Sequence, residues 1–225
     1  MPESLEPNAI GFLRYLLWYT PFRRYMFYRY RYNFSPGQLT FLVQCLDETK
    51  TVPGDIFEIG CAGGHTACFL SQHLRSLGTG KRYYCIDTFS GFTHDDVAFE
   101  TEHRGKGGQD YSGFRLNSLK WFQYTLELNG CANVYPVQAD ANDYQFTAPV
   151  SLCILDVDLY HPTLHALENL WPNLSPGGIA VVDDCIPNNK FDGAHQAYTE
   201  FTASHGLEHN IILDKLGIIR RSTAS

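Results

Sequence analysis

Residues 54–64 read GDIFEIGCAGG, and the fold turns on whether this is a buried strand running into a glycine-rich turn. Ile56, Phe57 and Ile59 form a short apolar run, as a strand covered on both faces requires. HTACFLSQHLRSL (65–77) follows at helical spacing, with Ala67, Phe69, Leu70, His73, Leu74 and Leu77 on one broad face. The turn has the form acid-x-G-x-A-x-G, so small residues sit where the chain must bend sharply and a ligand must come close.

The same alternation continues outward. KRYYCID (81–87), NVYPVQAD (133–140), VSLCILDVD (150–158) and GIAVVDDC (178–185) read as further strands, and HNIILDKLGIIRR (209–221) as a terminal hairpin. SLKWFQYTLELNG (118–130) reads as a helix stopped by Asn129-Gly130. TLHALENLWPNLSPGG (163–178) reads as a helix with a Pro-Gly-Gly stop, and GAHQAYTEFTASHG (193–206) as a last helix. This order predicts an α/β fold with a mostly parallel, Rossmann-like seven-stranded sheet, helices on both faces and a C-terminal antiparallel hairpin. Ligands of such sheets bind beyond the carboxyl ends of the strands, near the point where strand order reverses. The five parallel strands all end on acids: Glu58, Asp87, Asp140, Asp156 with Asp158, and Asp183 with Asp184. One such acid is ordinary turn chemistry; the whole set points to a polar site along one edge. Asp156 and Asp158, two apart on one strand, are expected on the same face, roughly 6–7 Å apart.

A chain of 225 residues suits one α/β domain, here 51–225, with an extension over 1–50. The net charge of −7, with no Lys/Arg-rich tract to offset it, argues against nucleic-acid binding. Seven cysteines without a CxxC pair suit reduced, buried thiols in the cytoplasm. The opening MPESLEPNAIGF lacks the basic residues of a secretory signal, which also favours a cytoplasmic protein. Residues 93–117 are polar and glycine-rich, and are expected to be a mobile lid or plain disorder. Residues 10–34 hold eleven aromatics and five Arg but no acid. A helical cover for the acceptor or a homo-oligomer contact ranks first there, an extension of the core second, and membrane-surface contact last.

The turn is neither GxGxxG nor GxxxxGK[ST], so a dinucleotide fingerprint and a P-loop are both unsupported. Gly60, Ala62 and Gly64, with the helix start at His65 and Thr66, could instead cradle a ligand against free N–H groups. Asp87 is placed to accept from ribose hydroxyls, with Ser90 just beyond it. Asp140, followed by Ala141, could accept from an adenine amino group. Together with Glu58 and Asp156 these suit an adenosine-containing ligand without a pyrophosphate. HExxH and Cys/His spacings are missing, which makes zinc improbable.

EIGCAGG, an acid ending the second strand, and Asp140-Ala141 after the third together resemble class I S-adenosylmethionine (SAM) methyltransferases. DTFSGF, LDVDLYHPTLHALENLWPNLSPGG, VVDDC and GAHQAYTEF narrow the match. They resemble the macrocin O-methyltransferase family, metal-dependent enzymes that methylate sugar hydroxyls of natural products. The resemblance runs from about residue 53 onward. It implies SAM as cofactor and Mg²⁺ (or Ca²⁺ or Mn²⁺) held by Asp156, Asp183 and Asp184. It also supports Asp158 as the base that takes the proton of a hydroxylated small-molecule acceptor, with His161 as runner-up. An amine or carboxylate acceptor stays open. A nicotinamide oxidoreductase is the weaker alternative, since GxGxxG and Tyr-x-x-x-Lys are both missing.

Overall fold

The computed structural model describes residues 7–21 and 32–223. They divide into two compact units, Met1–Asn33 and Phe34–Ser225. The first contributes helix α1 (Pro7–Trp18), which exposes Phe12, Leu13, Tyr15, Leu16 and Trp18. Residues 22–31 of the aromatic, arginine-rich stretch lie outside the described residues. Among the described residues, no helix is long and apolar enough to cross a membrane.

The second unit begins with α2 (Pro36–Thr49) and holds the sheet. Its strands are β1 (Asp55–Ile59), β2 (Tyr83–Asp87), β3 (Val134–Gln138), β4 (Val150–Leu155), β5 (Leu174–Val182), β6 (Ile211–Ile212) and β7 (Leu216–Arg220). The helices that cover it are α3 (His65–Leu77), α4 (His94–Glu102), α5 (Leu119–Leu128), α6 (Tyr160–Leu170) and α7 (Asp192–Ser204). Strand order is β3-β2-β1-β4-β5-β7-β6. β1 to β5 run parallel, while β7 is antiparallel to β5 and to β6. The expected seven-stranded sheet with a closing antiparallel hairpin is therefore observed. All six residues of β4 are buried, because helices cover both of its faces and leave no solvated side to alternate toward. Strand order reverses between β1 and β4, which puts the crevice between their carboxyl ends.

Three local expectations change. The boundary falls before residue 34 rather than at 50, because α2 packs on α3, β4 and β5 and buries Leu39, Leu42, Cys45 and Leu46. Ser35 starts α2 with a capping box: its Oγ accepts from the Gln38 N–H at 3.3 Å, and Gln38 Oε1 accepts from the Ser35 N–H at 2.7 Å. The Pro-Gly-Gly motif does not stop a helix but lies inside β5, which starts at Leu174. Leu174 and Ser175 are buried and Leu174 pairs with Val150, so the ladder extends through the motif and bulges where Gly177 turns left-handed (φ 82°). Within 93–117, residues 94–102 form α4, because Thr93 caps it by accepting from the Asp96 N–H.

Candidate active site

Just past β1, β2, β4 and β5 the chain turns through left-handed backbone at Ala62 (φ 41°), Phe89 (φ 51°), Asp158 (φ 66°) and Asp184 (φ 54°). Each costs about 1–3 kcal/mol that the surrounding structure must overcome, and such residues cluster at functional sites. β4 ends at Leu155, so Asp156 and Asp158 do not alternate along a strand as expected. The left-handed turn at Asp158 brings them together instead. One carboxylate oxygen each from Asp156, Asp158 and Asp184 lies within 4.8 Å of the others.

Ionised carboxylates at that spacing repel by about 3 kcal/mol per pair at an effective dielectric near 20. Burial, then the nearby Asp183, Asp158 and Asp184, holds Asp156 well above the usual carboxylate range. Burial, then a hydrogen bond shared with Asp184, does the same to Asp158. Asp183 is 3% exposed, and burial pushes it up to about 6 against the pull of Lys215. Lys215 Nζ donates to Asp183 Oδ2 at 2.7 Å and to Asp184 Oδ1 at 3.3 Å. The converging trio contains Asp158 and not Asp183. Asp183 Oδ1 is buried with no hydrogen-bond partner among the described residues. Four carboxylates against one ammonium, all hard oxygen donors with one orphaned atom, fit a divalent cation such as Mg²⁺.

The turn after β1 packs directly on this cluster. A Cβ on Gly60 (φ 83°) would lie 1.9 Å from the Asp156 carbonyl oxygen, so only glycine lets the two turns meet. Asp87 ties β1 to β2: its Oδ2 accepts from the Ala62 N–H at 2.9 Å and its Oδ1 from the Phe89 N–H at 2.7 Å. Each oxygen keeps a lone pair for a ligand hydroxyl. Gly64 (φ 80°) caps α3, with the Phe122 ring against it. His65 is exposed at the helix start and Thr66 is buried behind it. Ser90 is exposed, its N–H donating to Thr88 Oγ1. At the end of β3, Asp140 Oδ1 accepts from Asn142 N and Nδ2, both at 2.9 Å, and Ala141 sits in the core.

Glu58 lies beneath the turn rather than in it. It is 3% exposed and accepts from the Tyr83 hydroxyl at 2.5 Å. Burial pushes its pKa up to about 8. The folded chain therefore binds a proton that the unfolded chain releases above its ordinary value, so stability falls as pH rises from about 4.5 through about 8. Glu58→Gln should remove that decline and gain about 4–5 kcal/mol relative to wild type above pH 8, read from urea melts across pH. Parallel pH profiles for the two proteins would sink this assignment.

His161 is not in the carboxylate trio. Its ring stacks on Phe99 at 3.8 Å and lies parallel to His165 at 5.6 Å. His165 Nδ1 pairs with Asn142 Oδ1 at 2.9 Å, and Asn142 Nδ2 donates to Asp96. Sequence reasoning missed Lys215, Asn142 and Tyr83. A signal existed for Lys215, the sole Lys of a hairpin expected beside the strand that ends in Asp183-Asp184.

The loops after β2 and β5 share an aromatic cluster of Phe92, Tyr111, Phe114 and Phe191, with ring centroids 5.4–6.4 Å apart.

Residues 57–185 match the family described as a methyltransferase domain. The chain belongs to that family. The methyltransferase is 29% identical over 182 residues to the 8-demethyl-8-(2,3-dimethoxy-alpha-L-rhamnosyl)-tetracenomycin-C 4'-O-methyltransferase of Streptomyces olivaceus, covering 77% of this chain and 68% of that one. It is also 29% identical over 187 residues to the mycinamicin III 3''-O-methyltransferase of Micromonospora griseorubida, covering 77% and 70%. In fold it is similar to the calicheamicin methyltransferase CalS11, with a TM-score of 0.66 at 19% identity over 96% of this chain and 94% of that one. The expected class I methyltransferase fold and the resemblance to macrocin-type O-methyltransferases agree with these relatives.

Proposed function

We propose that this methyltransferase transfers the methyl group of SAM to a sugar hydroxyl of a glycosylated natural product, with a divalent cation, Mg²⁺ by preference, at the acidic cluster. The observation that carries this reading is the convergence of Asp156, Asp158 and Asp184 where the β4 turn meets the β1 turn. The two sugar O-methyltransferases among its relatives support the acceptor class.

Asp156 and Asp184, with Asp183 beside them, would hold the cation. When bound, the cation supplies Lewis-acid polarisation of the acceptor hydroxyl. Asp158 takes the hydroxyl proton as the oxygen attacks the methyl carbon and the methyl–sulfur bond breaks, its electron pair staying on the sulfur. Asp87 accepts from the ribose hydroxyls of SAM, and the Gly60–Gly64 turn lets the cofactor lie against backbone. Lys215 keeps part of the acidic edge neutral when the cation is away.

Calorimetry with SAM, followed by an acceptor screen read as a methyl mass gain, tests this. SAM should bind, rhamnosylated acceptors should gain one methyl, and EDTA should stop transfer until Mg²⁺ is restored. Binding of NADH in place of SAM would remove the cofactor assignment. Transfer that ignores EDTA would remove the cation while leaving the methyltransferase.

A further inference from the structure

Helix α6 starts two residues after Asp158, and its N-cap residue is Leu159, which has no side-chain acceptor to offer. The first N–H groups of such a helix need a partner from elsewhere. Glu100 of α4 supplies it. Its side chain is 1% exposed, and Oε1 accepts from the Tyr160 N–H at 2.8 Å. Oε2 accepts from Arg104 at 2.5 Å. Arg104 continues to Asp192 Oδ1 at 3.1 Å, at the first residue of α7, and Lys106 grips Asp192 Oδ2 at 2.7 Å. The fit is close: a Cβ on Gly193 would stand 2.5 Å from Tyr160 N and 2.7 Å from Glu100 Oε1. The next residue, Ala194, donates its N–H to the Asp158 carbonyl at 3.1 Å.

A buried carboxylate on the segment after β2 therefore clamps the two helices that leave the two acidic turns. We propose that Glu100 is a positioning residue for the acidic site, holding the start of α6 so that Asp158 stays in its left-handed turn beside Asp156 and Asp184. The inference rests on the cation reading above and adds a residue from outside the cluster to it. Segment 93–117 then acts as a fixed strap on the site through Glu100, Arg104 and Lys106, rather than as a freely swinging cover.

The test measures Mn²⁺ binding, by calorimetry and by the loss of free-ion EPR signal, in wild type, Glu100→Ala, Glu100→Gln and Gly193→Ala. SAM affinity and circular dichroism serve as controls on folding. Glu100→Ala and Gly193→Ala should lose about 10- to 100-fold in Mn²⁺ affinity, as outer-shell supports of metal sites do. SAM affinity should be unchanged. Glu100→Gln, which keeps an acceptor for the Tyr160 N–H, should fall between wild type and Glu100→Ala. A role confined to stability would lower the melting temperature and leave Mn²⁺ affinity intact in the folded variants, and that result overturns the proposal. Wild type that binds SAM but no Mn²⁺ would overturn the cation reading itself, and this inference with it.

Discussion

Asp158→Asn is expected to slow methyl transfer by about 10²- to 10⁴-fold, the usual contribution of a positioned general base. Asparagine keeps the shape and a hydrogen-bonding oxygen but cannot take the acceptor's proton. It also tolerates the left-handed backbone of Asp158 (φ 66°) well, so the fold should survive. SAM affinity should be untouched, because Asp87 and the Gly60–Gly64 turn lie on other strands. A variant with the wild-type rate would rule out the base role.

Gly60→Ala should cost stability on a scale unlike most glycine substitutions. The added methyl would sit 1.9 Å from the Asp156 carbonyl oxygen, a contact no side-chain motion can relieve because both partners are backbone. The positive φ adds strain. The expected loss is about 3–5 kcal/mol, a large share of a domain's net stability. SAM binding should fail together with it, since the turns of β1 and β4 must separate. Gly130→Ala is the control: φ is 63° there too, but nothing lies within 4 Å of the added Cβ. That variant should lose only about 1 kcal/mol, the backbone strain by itself. Equal shifts in urea midpoint for the two variants would show that the contact between turns does not matter.

The strand order and the acidic edge could be read from the chain because period and punctuation agree there. β4 is a mostly apolar six-residue run, and each of the five parallel strands has an acid at or within two residues of its end. What could not be read depends on three dimensions. That Asp158 rather than Asp183 closes the trio goes with the left-handed turn at Asp158, which is not visible in local spacing. Glu58 looked like a ligand contact because it shares the pattern of the other strand-end acids. Its partner Tyr83 lies 25 residues away on the neighbouring strand, and burial turned the carboxylate inward. The Pro-Gly-Gly motif misled for the reverse reason: its local chemistry says stop, but pairing with β4 carries the strand through it.

Lys215 does not hold its place unaided. Phe34 lies 5.0 Å beneath its ammonium group, and Gln38 donates to the Leu213 carbonyl across 175 residues of chain. Glu48 pairs with Arg220 farther along the same hairpin. The counter-charge that moderates the carboxylates is thus pinned by a helix that precedes the whole sheet in the chain. Opposite extremes of the domain close on each other at that corner, and contacts so distant in sequence carry the largest loop-closure entropy. The balance of charge at this edge therefore rests on a contact between the two ends of the domain.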